Sequence, residues 1–553
     1  MNFPKQLSFL KSKIPFRLPK SDSGALSPAS GVFRDLILFL IFSCIIAVFV
    51  FYVYDEIVRI SDFSYRLFFK YGSNVLKGLV PYHDFFLEYP PFSLIFFTVP
   101  AYHRYLGAYG AAFSFLVYVF CLTGLYISAL IGRKYNVPTV LTMGAYAVSV
   151  CAVGPILTNF YDVFPAVITM GAVYAYITKH RLTGWFLLSA AVLTKLYPIF
   201  LAPVFLIPYL IDMKPFLRSV MMSFSGVSSG IDPADKQKFM SALKKAGAGF
   251  AVFAVTGIIF TLPFVIIDAD GFFAFLTYHV ERGLHIETIY ASIILLGRNF
   301  GIDILADTIR INNYGSPHLY GNVADIVAKA ATPVMMCIYA VIYALYIRII
   351  FRNNTHPTSE AWLSDPQNDR VFAMVSFLIV LFFMMAGKVF STSYIIWLFP
   401  FIPFAFIRED PETRITVRNI GASAAGNILF PENILSRLPG CSEVALKDCA
   451  DETIRKAFTV TFRYALIFFA VYVISCILSY LIYPHNYSPL LNFKTSSVLL
   501  VFIRNIFLLI MGLAAVVLCR TTDLRTCAAR RYREKQFEEA QQEFRNISGK
   551  QNT

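Results

Sequence analysis

The sequence predicts an all-α fold: a polytopic transmembrane helix bundle of about 11–13 spanning helices with an extended first outer loop. Three observations carry that expectation. Of the 553 residues 57% are hydrophobic and only 15% charged, where soluble domains carry roughly 25% charged residues. Charge-free runs are long: Leu36 to Tyr54 covers 19 positions and Tyr105 to Gly132 covers 28. A helix rising about 1.5 Å per residue needs about 20 such positions to cross about 30 Å of hydrocarbon. The cations collect between the runs, as the positive-inside rule expects. Hydrocarbon forces every backbone polar group to bond within the chain, which favours helices. The alternation of an outer-membrane barrel is absent.

The elements follow in order. Residues 1–34 form a basic tail, with Lys5, Lys11, Lys13, Arg17, Lys20 and Arg34 against Asp22, which places the N-terminus in the cytoplasm. A first helix spans about 35–54, followed by an outer loop, 55–91. Apolar segments continue at about 92–104, 109–131, 139–157, 161–178 and 183–211. Counting each as one crossing would put Arg133-Lys134 and Lys179-His180-Arg181 outside, so we expect 92–104 not to cross fully and 183–211 to be two short helices broken at Pro198. The basic loop 212–246 is expected in the cytoplasm, followed by a span at 247–267, an outer segment 268–320 and a span at 322–350. A hairpin, 371–386 and 393–407, turns outside around Lys388. Residues 35–407 therefore read as a transmembrane core. A cytoplasmic loop 408–456, a transmembrane hairpin 457–519 and a charged cytoplasmic tail 520–553 complete the chain.

The net charge of +14 reads as loop bias plus attraction to anionic lipid, not as a nucleic-acid surface. Most of the nine cysteines lie inside apolar runs, none with metal-ligand spacing, and Cys441 and Cys449 fall in a loop expected to be cytoplasmic, so thiols are expected. No cleavable leader is evident, no Walker, dinucleotide or zinc motif is spelled out, and neither a cofactor nor a metal is expected.

The first outer loop holds nine charges in 37 residues, five of them acidic. Asp62 follows the first helix by a few residues, while Asp84 and Glu88 are four apart and would share a face if helical. A carboxylate between aromatic walls at a membrane surface can be tuned to accept a proton. The plain alternatives are a solvated connector, with Asp62 paired to Arg59 or Arg66, and a helix start at Pro90-Pro91. Lys195 falls in the outer half of the bilayer on this topology, where a lysine is costly and marks function unless it snorkels. His279-Val-Glu281-Arg282-Gly-Leu-His285-Ile-Glu287 is a second dense cluster, read either as a site offering Arg282 or His285 or as an amphipathic surface helix. Lys388 precedes Tyr394 and Trp397 and fits phosphate contact or interfacial anchoring.

Several stretches resemble a known family. Asp62-Phe-Ser-Tyr65 follows the first helix; Gly78-Leu-Val-Pro-Tyr82-His-Asp84-Phe-Phe-Leu-Glu88-Tyr-Pro-Pro91 comes next. Asn159-Phe-Tyr-Asp162, Lys179-His-Arg181 and Lys195-Leu-Tyr-Pro198 follow, then Gly387-Lys388-Val-Phe-Ser391-Thr-Ser-Tyr394-Ile-Ile-Trp397-Leu-Phe-Pro400. Their order over roughly 33–407 is similar to that of the GT-C superfold glycosyltransferases, in particular the polyprenol-phosphate-mannose-dependent α-mannosyltransferases. The resemblance implies inverting transfer of a sugar, mannose by preference, from a polyprenyl-phosphate donor to a lipid, glycan or protein acceptor on the outer face. It implies Asp62 as catalytic base, and Tyr65, Asp84, Glu88, Lys195, Arg282, His285 and Lys388 as substrate contacts. Membrane lipids are the remaining partners. A transporter or lipid or polysaccharide flippase is the rival reading, and would put charges in mid-helix within a two-fold repeat.

Overall fold

The structure, a computed structural model, describes residues 28–60, 63–224, 232–352, 358–407 and 443–519. Helix α1 (Pro28–Ile60) is followed by α2 (Phe63–Leu76), α3 (Ser93–Ala101), α4 (Leu106–Lys134), α5 (Thr139–Ala152) and the single turn α6 (Ile156–Asn159). Next come α7 (Val163–Ile177), α8 (Arg181–Thr194), α9 (Ala202–Leu206), α10 (Leu210–Phe224) and α11 (Pro233–Ile267). The second half holds α12 (Ala269–Glu281), α13 (Ile289–Asn299), α14 (Asn322–Arg352), α15 (Ser359–Trp362), α16 (Pro366–Ala386) and α17 (Ile402–Ala405). Two further long helices, Glu443–Tyr480 and Thr495–Cys519, close the described chain.

Eight helices are long and apolar enough to span a bilayer, and four shorter apolar ones bring the number to twelve among the described residues. The chain is thus an all-α polytopic bundle. α16 shows the logic of its centre: apolar on every face and 89% buried, it must be enclosed by protein. It packs against α7, α14 and the 3₁₀ segment Thr392–Phe401. α11 is the opposite, 6% buried, exposing Ile258, Ile259, Leu262 and Ile266. In water such a stripe would be an aggregation surface; in lipid it is the ordinary outer wall.

One end of the bundle is fixed by polar contacts. Asp35, near the start of α1, takes Arg133 Nε at 2.8 Å and the Thr139 hydroxyl at 2.5 Å, joining α1, α4 and α5. Asp369 takes Lys134 Nζ at 3.4 Å and the Tyr135 hydroxyl at 2.7 Å, while Lys134 also donates to the carbonyl of Ile177, the last residue of α7. Glu360 takes Arg181 at 3.5 Å and Lys245 at 3.4 Å. The turns at 133–134 and 179–181 therefore lie at the end where α1 begins, called proximal below. α3 is nine residues long, about 13 Å, and does not cross.

The structure corrects three local expectations. The break within 183–211 falls at Lys195, which is extended (φ −155°, ψ 139°), and not at Pro198. Proline sits without cost only in a first turn and pushes the residue before it out of helix. Pro198 thus opens the 3₁₀ segment Tyr197–Leu201, and α8 ends upstream of it. Asp84 and Glu88 do not share a helical face, because 77–92 is a run of turns and extended backbone. Residues 279–287 are not one surface helix: α12 stops at Glu281, Arg282 leaves the helix, and Leu284–His285 (β1) joins a small sheet. That sheet, in the order β1-β3-β2 with β2 Ile309–Asn313 and β3 Ser316–Tyr320, is antiparallel and is an exception to the helical rule.

Candidate active site

The four shorter helices, Thr139–Ala152, Val163–Ile177, Arg181–Thr194 and Thr392–Ala405, are neighbours in the bundle centre. At 14 residues α5 and α8 are about 21 Å long, some 9 Å short of the hydrocarbon thickness. Because α7 and α8 meet the proximal end, the shortfall lies at the distal end. The Tyr161-Asp162 turn, Lys195 and the 392–397 segment meet there.

Lys195 Nζ donates to Asp162 Oδ1 at 2.5 Å, and the Trp397 indole N–H donates to the same oxygen at 2.6 Å. The ammonium lies 4.7 Å from the ring centre of Tyr161 and 5.1 Å from those of Tyr394 and Trp397. Tyr394 and Tyr197 stack on Trp397 at 3.9 and 4.2 Å. Asp162 is 1% exposed and the Lys195 side chain 17%. Such a pair is held by complementary geometry, since burying both charges costs several kcal/mol each. The aromatic faces add cation–π attraction. The Tyr161 hydroxyl and Asn159 Oδ1 are buried beside this group without a hydrogen-bond partner.

The first outer loop roofs the cluster. Phe68 on α2 and Tyr89 pack on Tyr161 at 5.6 and 4.8 Å. Tyr82 adopts φ +69° and donates its hydroxyl to the Tyr89 carbonyl at 2.6 Å. Its own carbonyl sits where a Cβ on Gly271 would be, 2.2 Å away, so glycine is required for the loop to lie on α12. His83 reaches Asp268 at 3.1 Å, at the N-terminus of α12. The Glu88 carbonyl accepts from His279 Nε2 at 3.1 Å, and its carboxylate faces Tyr71, Tyr89 and Tyr278 and acts on Lys195 electrostatically. Burial, then that carboxylate, hold the Tyr278 phenol above its ordinary value. Burial, then the charge of Arg282, push His279 down to about 4. Asp84 is exposed and accepts from the Val80 N–H at 2.7 Å, closing its own turn away from Lys195.

Arg282 acts on the charges of both Lys195 and Lys388. Its guanidinium donates to the Ser316 hydroxyl at 2.5 Å and the Tyr314 carbonyl at 3.4 Å. Lys388 donates to the Val280 carbonyl at 2.5 Å, and partial burial, then Arg282, hold its ammonium below the ordinary value. Among the described residues neither cation has a carboxylate within ion-pair distance in these contacts. His285 is 2% exposed, receives the Glu287 N–H at 3.3 Å and faces His318; it belongs to the packing of β1. Asp62 and the side chain of Tyr65 lie outside the described residues.

Asp162 entered the sequence resemblance through Asn159-Phe-Tyr-Asp162 without a role of its own, although it is the one charge between Lys134 and Lys179, as Lys195 is between Arg181 and Asp212. Two lone opposite charges in apolar runs are candidates for each other. The same signal marks Arg504, the one charge between Lys494 and Arg520. Its guanidinium holds the Glu287 carboxylate and carbonyl, both at 2.8 Å, fully buried, and Thr392 donates to the same carboxylate. That group ties the last helix to the 388–397 segment. Among the described residues no three His, Cys, Asp or Glu side chains gather to hold a metal.

Chemically, the arrangement can hold an anion at the distal end, beside a carboxylate and under aromatic walls. No family model matches the sequence, and no curated protein matches it. Among solved structures, ArnT from Cupriavidus metallidurans bound to undecaprenyl phosphate is similar at 11% identity and a TM-score of 0.37, covering 89% of this chain and 78% of that one.

Proposed function

We propose that the protein is a membrane glycosyltransferase that moves a sugar from a polyprenyl-phosphate donor to an acceptor hydroxyl with inversion. The observation that carries this reading is the set Lys195, Arg282 and Lys388, linked through Arg282, of which only Lys195 is neutralised by a carboxylate. A departing phosphate needs fixed positive charge in a water-poor site, where such charge acts strongly. The acceptor oxygen bonds to the anomeric carbon, the carbon–oxygen bond to phosphate breaks, and the phosphate keeps the electron pair. The hydroxyl proton passes to a base. Asp62 is that base by resemblance, with Glu88, half-buried near Lys195, as the other carboxylate in reach. Mannose is the sugar the resemblance favours, and the positive bias of 1–34 puts the site on the outer face.

A transporter would place its buried charges midway along spans. Asp162 and Lys195 instead cap helix ends, at the start of α7 and the end of α8, and Arg504, the buried charge inside the last span, is tied to Glu287 of the outer segment, which favours a fixed site over a translocation path. The test uses the purified protein in lipid nanodiscs with radiolabelled polyprenyl-phosphate mannose and membrane extract as acceptor. Labelled product with release of polyprenyl phosphate is expected from the wild type, and a loss of roughly 10²- to 10³-fold from Arg282→Gln. No transfer from mannose, glucose or arabinose donors, with donor binding indifferent to Arg282→Gln, would sink the reading.

A further inference from the structure

The distal end carries an open groove of about 480 Å³, within the range of roughly 300–1,000 Å³ for small-molecule sites. One wall is a single face of α12: Asp270, Phe273, Tyr278 and Glu281 follow one another at helical spacing. The other walls are Phe86 from the first outer loop and Tyr314 from the tip of the β2–β3 hairpin. Phe86 and Tyr314 flank Tyr278 at 5.3 and 5.2 Å. Phe273 is half exposed and Phe86 nearly so.

The hairpin is built to hold Tyr314 there. Its two-residue turn has φ +50° at Tyr314 and +64° at Gly315, a geometry that asparagine, aspartate and glycine adopt readily and a bulky side chain does not. The tyrosine keeps that backbone and sets its ring at 80° to Tyr278, with its hydroxyl donating to Glu281 Oε2 at 3.0 Å. Glu281 is thereby oriented, with its other oxygen free of that bond, and Asp270 lies at the opposite end of the same face.

We propose that this groove binds an uncharged sugar residue of the acceptor, so that the acceptor is a glycan or glycolipid. Ring faces are electron-rich and attract the positively polarised C–H groups on the flat side of a pyranose. Ionised carboxylates only accept, and so suit a ligand rich in O–H donors. The same two carboxylates repel a phosphate, although Arg282 of the cationic cluster borders the groove, 5.7 Å from the Tyr278 ring and bonded to the Tyr314 carbonyl. Tyr278 joins them: its ring lines the groove while Glu88 acts on its phenol. A sugar seated here has its hydroxyls one side chain away from the carboxylate beside Lys195. This inference rests on the transferase reading for its biological meaning, but not for the binding itself.

The experiment is saturation-transfer NMR on the full chain in nanodiscs, free of sugar-based detergent, with mannobiose and cellobiose as probes. At least one disaccharide is expected to bind the wild type, with binding weakened roughly tenfold by Phe273→Ser and by Asp270→Asn and kept by Phe273→Tyr. Thermal melting within a few degrees of wild type shows that these exposed variants fold. Asp62→Asn is expected to lose transfer and keep the disaccharide signal. No signal from the wild type, a signal indifferent to both groove variants, or one displaced by a short-chain polyprenyl phosphate would each overturn the proposal. A persistent, groove-dependent signal in a protein that transfers no sugar would support it while the transferase reading fell.

Discussion

The two ends of the helix bundle share carboxylate pairing, Lys195 with Asp162 and Arg504 with Glu287 at the distal end, but differ in how two further cations are held. At the proximal end each cation described above meets a carboxylate from another helix: Arg133 with Asp35, Lys134 with Asp369, Arg181 and Lys245 with Glu360. At the distal end Arg282 and Lys388 are held by carbonyl and hydroxyl oxygens, which orient a cation without cancelling it. The first arrangement closes on itself and fixes helix against helix. The second leaves positive charge uncancelled, which is what a receiver of anions requires. The lesson is that the paired Lys195 belongs to a candidate binding site because its neighbours Arg282 and Lys388 keep their charge uncancelled, not because cations are numerous there.

Substitutions can break or sharpen that contrast. The largest effect is expected from Asp62→Asn, which removes the proposed proton acceptor while keeping shape: transfer should fall roughly 10²- to 10⁴-fold with donor binding intact. A wild-type rate in Asp62→Asn together with a dead Glu88→Gln would move the base to Glu88. Next, Lys388→Gln should lower transfer roughly 10²-fold, with little change in melting temperature; a large drop in stability with full specific activity would make Lys388 a staple after all. At the other end Lys134→Met should do the reverse. It strands Asp369, 3% exposed, at a cost of about 3–5 kcal/mol, and the companion change Asp369→Asn should recover much of it, with activity per folded molecule unchanged in both. Equal rate losses from Lys134→Met and Lys388→Gln would erase the distinction.

Smaller effects follow from titration and from the surface. His279, pushed down to about 4 by burial, then Arg282, with Lys195 adding to the effect, is neutral in the folded protein at pH values where a free imidazole takes up a proton. Its folded value lies below its unfolded one, so its contribution is complete above about 6.5 and is lost as pH falls towards 4. Melting temperature should decline over that interval, less steeply in His279→Gln. His318, also lowered to about 4 by burial, then Arg282, accounts for part of what remains. A decline identical in the variant would show that His279 is not a contributor. Smallest of all, His83→Ala removes an exposed contact to Asp268 and should leave melting temperature and rate close to wild type, because exposed pairs contribute little.

Much of the helical frame was legible because a charge-free run of twenty residues has one low-energy solution in lipid. α4 and the last two spans follow directly from that. The end of α8 was harder: Pro198 is visible, but whether proline kinks a helix or starts the next one depends on what the upstream turn packs against. The sheet was hidden because β2 and β3 are five residues each and mix polar with apolar positions; only Tyr314-Gly315 hinted at a hairpin. Lys195 was legible as a lone charge in an apolar run, whereas its bond to Asp162 joins positions 33 apart through a turn that the pattern does not show. Arg282 was singled out, but its place as neighbour to both lysines depends on α12 ending one residue earlier. The burial of His285 was hidden for the converse reason: a histidine in a charged stretch reads as exposed, and strand pairing buries it.

The shortness of the central helices has a consequence for lipid traffic. Drawing an acyl chain out of hydrocarbon costs about 0.8 kcal/mol for each methylene exposed. A site level with the bulk headgroups would oblige an isoprenoid carrier either to rise or to bend its first units through water. The floor made by Asp162, Lys195 and Trp397 lies lower, at the ends of helices too short to span. Under the proposed function a carrier would arrive sideways from the leaflet with its tail still in oil, the dock sunk to the lipid instead of the lipid lifted to the dock.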